Sequence, residues 1–101
     1  MIKSFDDVLV EWDSKKSEIN FEKHGVNFET AKLVFSNDYV EMYDTDHSVH
    51  EDRYLVIGIV NDMYLYVVYT PRGDRHRLIS ARKAKSQERR LYDCYFNRTQ
   101  G

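Results

Sequence analysis

The sequence predicts an α+β domain in which a short first strand is followed by two helices, four strands and a last helix, in the order βααββββα. Three observations carry this expectation. Apolar residues recur at helical spacing within 28–36 and again within 87–96, while Val, Ile, Leu and Tyr concentrate in four short runs between residues 39 and 82. Turn-forming Asn, Asp, Pro and Gly separate those runs. With 101 residues, 42% of them hydrophobic and 14% aromatic, the chain is expected to build one core and one domain over 1–101.

Each element has a local cause. Val8, Leu9, Val10 and Trp12 form the first apolar run, which ends at Asp13. The Asp13 carboxylate suits the N-cap of a helix over 14–23, and Gly25 suits its left-handed stop. Asn27 can cap a second helix over 28–36, in which Phe28, Ala31, Val34 and Phe35 share a side and Val26 staples onto Ala31. Strands are expected at 39–43, 53–60, 64–70 and 75–82, forming an antiparallel meander turned by Asn61-Asp62 and Pro71-Arg72-Gly73. The acidic segment 44–52 reads as a mobile loop. Gln87 to Phe96 reads as a helix with Leu91, Tyr92 and Tyr95 on one side, leaving 97–101 as a flexible tail.

Charge is polarised along the chain. Residues 71–101 hold nine cations against three anions, a local +6, whereas residues 1–70 carry −8 and the total is −2. A basic end on an otherwise acidic molecule suits a polyanion such as RNA or DNA, although basic terminal helices are commonly just solvated surface. The single cysteine, Cys94, cannot form an intrachain bridge; it reads as a packing side chain and the chain as cytoplasmic. No apolar run is long enough to span a bilayer. There is no P-loop, nucleophile elbow or dinucleotide fingerprint. His47 and His50 lie among Asp44, Asp46, Glu51 and Asp52 without a defined ligand motif, so no metal is expected.

Two constellations suit chemistry. On strand 75–82, strict alternation would place Arg75, Arg77, Ile79 and Ala81 on one face and His76, Leu78, Ser80 and Arg82 on the other. Arg75 and Arg77, about 7 Å apart, could then grip neighbouring phosphates or else pair with carboxylates such as Asp74 or Glu88. Arg82 follows an apolar run, so it is expected to be partly buried and to need partners or a substrate. A bulge, or rotation at the strand end, would be required to bring Arg77 and Arg82 onto one face. Lys23 and His24 close the first helix, where the macrodipole favours cations; His24 is also the obvious acid/base candidate.

Several motifs together resemble one family. Glu11-Trp12-Asp13, Asn20-x-x-Lys23-His24-Gly25-Val26-x-Phe28, Glu51-Asp52-Arg53-Tyr54, Arg77-x-Ile79-Ser80-Ala81-Arg82-Lys83-Ala84 and Glu88-Arg89-x-x-Tyr92 are, in this order, similar to BrnT toxins of type II toxin-antitoxin systems. The resemblance covers about residues 9–95, leaving 1–8 as an N-terminal extension, with Lys85 where a capping threonine is usual and Ser86 available to take over the cap. It implies a RelE-like fold and a metal-independent endoribonuclease in which the ribose 2′-OH attacks the adjacent phosphate. For that chemistry, Lys23, His24, Arg75, Arg77, Arg82 and Tyr92 are the catalytic candidates, and Arg53, Arg72, Lys83, Lys85 and Arg89 the candidates to hold RNA. No cofactor is implied. The implied partner is a BrnA antitoxin, a ribbon-helix-helix DNA binder through which alone the complex would meet operator DNA. The rival reading is a non-catalytic module that binds RNA or an antitoxin. A DNA-reading helix-turn-helix fits poorly, because the would-be recognition helix 28–36 offers only Glu29 and Lys32 as charges.

Overall fold

A computed structural model describes residues 2, 3 and 8–97. The strands are β1 (Ile2–Lys3), β2 (Leu9–Glu11), β3 (Tyr39–Tyr43), β4 (Tyr54–Val60), β5 (Met63–Arg72) and β6 (Arg75–Lys83). The helices are α1 (Ser14–His24), α2 (Phe28–Ala31), which continues as a 3-10 turn over Lys32–Ser36, and α3 (Ser86–Asn97). The expected tail lies, but for residue 97, outside the described residues, as does most of the expected 1–8 extension, of which residues 2 and 3 pair with β3.

The sheet order is β1-β3-β4-β5-β6-β2. Strands β3 to β6 form the expected antiparallel meander, but β2 pairs in parallel with β6, Glu11 opposite Arg77. The sheet is therefore mixed, not purely antiparallel. Alternation alone does not reveal this, because an edge strand reads the same in either direction. The helix expected over 28–36 is also divided, as α2 tightens into the 3-10 turn after one α-helical turn.

One sheet face carries the main core. Phe28, Ala31, Val34 and Phe35 pack with Val56, Leu65, Val67, Tyr69, Leu78 and Ala81, all nearly sealed from solvent. Approach of the 3-10 turn to β4 is so close that a Cβ on Gly58 would clash with Val34 Cγ2. Within this layer, Tyr69 donates to the buried Glu41 carboxylate at 2.6 Å and stacks on His76 at 4.0 Å. Burial raises the Tyr69 pKa far above its ordinary value, with Glu41 adding to the effect, and lifts Tyr39 to about 12.

α3 covers part of the opposite face, over β3 and β4, where Val40 and Ile57 are fully buried. Its start is held by Glu88, which accepts the Lys85 N–H at 2.7 Å, in place of the expected Ser86 cap. Cys94 is exposed, contrary to the packing role read from the sequence. The 44–52 loop is closed by hydrogen bonds of Asp44 and Ser48, including Arg53 N–H to Ser48 Oγ at 2.9 Å.

α1 has an unusual inward side. Its buried residues are Ser17 and Asn20, while Ile19 and Phe21 are about half exposed. Asp13 caps it by accepting from Lys15 and Lys16, and Gly25 ends it at a φ of 73°. Ser17 Oγ accepts the Phe28 N–H at 2.9 Å. Asn20 donates to the carbonyls of Val26 and Ala81, both at 2.7 Å, and accepts the Ala81 N–H at 3.1 Å. Its carboxamide thus pairs with β6 where β2 no longer runs beside it.

Candidate functional site

β6 does not alternate strictly. Val68 pairs with Ser80 and Tyr69 with Leu78, so Ile79 is an extra residue opposite β5 and forms a bulge. Leu78 and Ala81, three positions apart, both face the main core. Arg77 lies opposite Thr70, Ser80 opposite Val68 and Arg82 opposite Tyr66, and these even-numbered β5 residues share the other face. The opposite-face assignment of Arg77 and Arg82 is therefore corrected: Arg75, Arg77, Ser80 and Arg82 share one face, whereas Ala81 belongs to the other. Arg77 and Arg82 stand about 13 Å apart along the strand, so they form a track for a chain rather than a grip on one phosphate.

At one end of the track, Glu11 serves two arginines. Its carboxylate accepts from Arg77 Nη1 at 2.9 Å and lies 3.5 Å from Arg75 Nη1, a pairing with β2 that replaces the expected partners Asp74 and Glu88. The Arg77 hydrogen bond, aided by the charges of both arginines, holds the Glu11 carboxyl below its ordinary pKa. Arg72 and Arg75 close the Gly73-Asp74 turn. Extending the β4–β5 register by one residue places Arg53 opposite Thr70, two strands and about 10 Å from Arg77 on the same face. Arg53 reaches Glu51 at 3.6 Å, and its Nε is buried without a hydrogen-bond partner among the described residues.

Arg82 has a different setting. Nη1 and Nη2 donate to the two oxygens of Glu88 at 2.9 and 2.8 Å, and the guanidinium lies 4.0 Å from the centre of the Tyr66 ring. Burial pushes Glu88 upward, but Arg82 and the Lys85 N–H overcome this and hold its carboxyl below the ordinary value. As expected, Arg82 is partly buried. It joins β6 to the first turn of α3.

One side of α1 meets this strand at the bulge. Lys16, Ile19, Asn20, Lys23 and His24 line a shallow 190 Å³ pocket with Ile79 and Ser80. Ser80 belongs both to this pocket and to the arginine track, so the bulge links two groups that are far apart in sequence. Lys23 and His24 are solvent-exposed. Glu11, Lys16, Tyr66, Ser80 and Glu88 went unrecognised as site residues from sequence; the motifs containing Glu11, Ser80 and Glu88 were the available signal.

The remaining candidates are spread more widely. Tyr92 packs edge-on to Tyr64 at 5.7 Å and donates weakly to the Asp38 carbonyl at 3.4 Å, under α3 rather than beside Glu11. Lys83 and Arg89 line a pocket at the β4–β5 turn, while Lys85 is exposed at the start of α3. His47 pairs with Asp44 at 2.9 Å, and no metal-binding group of His, Cys, Asp or Glu occurs among the described residues.

Fold and site together define a class: a small α+β domain that presents a guanidinium-lined sheet face suited to a polyanion. Residues 12–88 match the family model for the ribonuclease toxin, BrnT, of type II toxin-antitoxin systems, and the chain belongs to that family. No curated protein matches the sequence. Membership makes it a ribonuclease toxin of a type II system, with RNA as substrate and an antitoxin as partner. Among the described residues, no helix is long and apolar enough to cross a membrane.

Proposed function

We propose that this chain is a metal-independent endoribonuclease with a RelE-like arrangement, cutting mRNA in the cytoplasm and thereby arresting translation and growth. The observation that carries the reading is the bulge at Ile79, which lines Arg75, Arg77, Ser80 and Arg82 along one sheet face. Cleavage by the ribose 2′-OH requires a base for its proton, positive donors for the phosphorane and an acid for the departing 5′-oxygen. The O2′–P bond forms as the P–O5′ bond breaks, giving a 2′,3′-cyclic phosphate and a 5′-hydroxyl. Arg75 and Arg77, which share Glu11, supply donors, and Arg82, gripped by both oxygens of Glu88, supplies a fixed positive charge. His24 and Lys23, reached through Ser80, exchange the protons.

Arg53, Arg72, Lys83, Lys85 and Arg89 hold flanking phosphates, and Tyr92 supports the Tyr64 wall against which the RNA lies. A BrnA-type antitoxin of ribbon-helix-helix type neutralises the toxin and brings it to operator DNA. The experiment is cleavage of an RNA by the purified chain, followed by replacement of the nucleotide 5′ to each mapped cut with its 2′-deoxy analogue. Loss of cleavage at that position alone, with 5′-hydroxyl ends on the parent RNA, supports the mechanism; continued cutting of the deoxy substrate contradicts it.

The ion pairing of Arg75, Arg77 and Arg82 favours a second reading, a non-catalytic RNA- or antitoxin-binding module. That reading predicts salt-sensitive RNA binding with no new ends.

A further inference from the structure

Between the β4–β5 turn and the start of α3 lies a 270 Å³ pocket lined by Asp62, Met63, Tyr64, Lys83, Ala84 and Arg89. Its walls are held firmly. Asn61 and Asp62 have φ of 49° and 66° and form the two-residue turn between the paired Val60 and Met63, a conformation that suits Asn and Asp. Tyr64 donates to Asp93 at 2.7 Å, and its carbonyl accepts the Ala84 N–H at 2.9 Å, fixing both the ring and the chain leaving β6. The Arg89 guanidinium lies 5.1 Å from the centre of the Tyr64 ring.

Two cations at the rim, an aromatic wall and one carboxylate make a combination that fits neither a bare anion nor an apolar ligand. Lys83 and Arg89 suit a phosphate, whereas Asp62 repels a second one and accepts a hydrogen bond instead. The pocket is small for a drug-sized molecule but suited to a single base. Tyr64 shares the even-numbered face of β5 with Tyr66, on which the Arg82 guanidinium rests, so the aromatic wall of the pocket continues the far end of the arginine track.

We propose that this pocket is a nucleotide subsite of the RNA track, taking one base that carries an exocyclic amine and discriminating against uracil. The phosphate rests on Lys83 and Arg89, the base lies near Tyr64, and the amine donates to the Asp62 carboxylate. Uracil presents a carbonyl oxygen where cytosine presents the amine, so the carboxylate repels it. The inference rests on the ribonuclease reading and adds a base preference to it.

Cytosine and uracil are the informative pair, because they are similar in size and both are pyrimidines. Uncleavable 2′-O-methyl oligonucleotides of cytosine or uracil, fluorescently labelled, are titrated with the full chain and followed by anisotropy. The parent should bind the cytosine chain about tenfold more tightly, a difference of about 1.4 kcal/mol. Asp62→Ala should bring the two affinities to within about twofold, while Lys83→Ala and Arg89→Ala weaken both alike. Equal binding of the two chains by the parent, or a preference that survives Asp62→Ala, overturns the subsite. Cleavage of unmodified RNA by the same preparations separates the two failures: a parent that cuts RNA without the preference removes only the subsite, and one that neither cuts nor binds removes the ribonuclease reading with it.

Discussion

The two arginine–glutamate pairings on the β6 face solve different problems. Glu11 faces two guanidiniums at once, meeting Arg77 at 2.9 Å and Arg75 at 3.5 Å, with Arg75 more than half exposed. Glu88 grips one guanidinium with both oxygens, caps the start of α3, and holds Arg82 against Tyr66. An incoming phosphate can replace Glu11 by offering the arginines equivalent acceptors. Replacing Glu88 would also disturb a helix start and a ring contact. On the proposed reading, arginines on one strand face divide between reaching the substrate directly and bracing the frame as a fixed charge.

Variants can test this division, beginning with the largest effect. Arg77→Ala should reduce RNA cleavage on the order of a hundredfold, the usual consequence of losing one charge-stabilising donor, while leaving thermal unfolding nearly unchanged. Arg82→Ala should instead lower stability by about 2 kcal/mol in denaturant unfolding, because a bidentate charged bond and a ring contact are lost together. If Arg82→Ala melts like the parent, the brace is not one. Gly58→Ala provides a core reference for that scale: the new methyl meets Val34, and chemical denaturation should show a loss of about 1–3 kcal/mol. Glu11→Gln should give a smaller effect of opposite sign on function, tightening RNA binding a few-fold in fluorescence titrations by freeing Arg75 and Arg77.

The smallest effect is in acid. Glu11 and Glu88 both titrate lower in the folded chain than at the ordinary value of 4.5. Their contribution to stability is therefore fully present above that value and is lost as pH falls through the lowered folded values. Melting curves between pH 6 and pH 3 should show a parent that loses stability over this range more steeply than the Glu88→Gln variant.

Much of the frame was legible in the sequence, because repeating side-chain patterns leave a trace. The Asp13 and Asn27 caps, the Gly25 stop, the β-rich runs and the apolar side of the last helix each follow from local chemistry. What escaped depends on distant pairing. In Arg77-Leu78-Ile79-Ser80-Ala81-Arg82 nothing marks Ile79 as extra; only pairing with Val68 and Tyr69 does. The parallel seating of β2 likewise emerges from its contact with β6. α1 turns Ser17 and Asn20 inward, against the apolar periodicity that usually reveals a buried side, because their polar atoms close bonds to Phe28, Val26 and Ala81. The arginines were visible as candidates and Glu88 as a possible partner, but not Glu11, nor which arginine Glu88 would take.

The most direct test of the account compares single-turnover RNA cleavage by the parent and Arg77→Ala, with product ends mapped and unfolding measured on the same preparations. The account predicts parent products bearing 5′-hydroxyl ends and a variant slower on the order of a hundredfold that unfolds like the parent. A folded Arg77→Ala chain that cleaves at the parental rate would contradict the assignment of this β6 face to the chemistry.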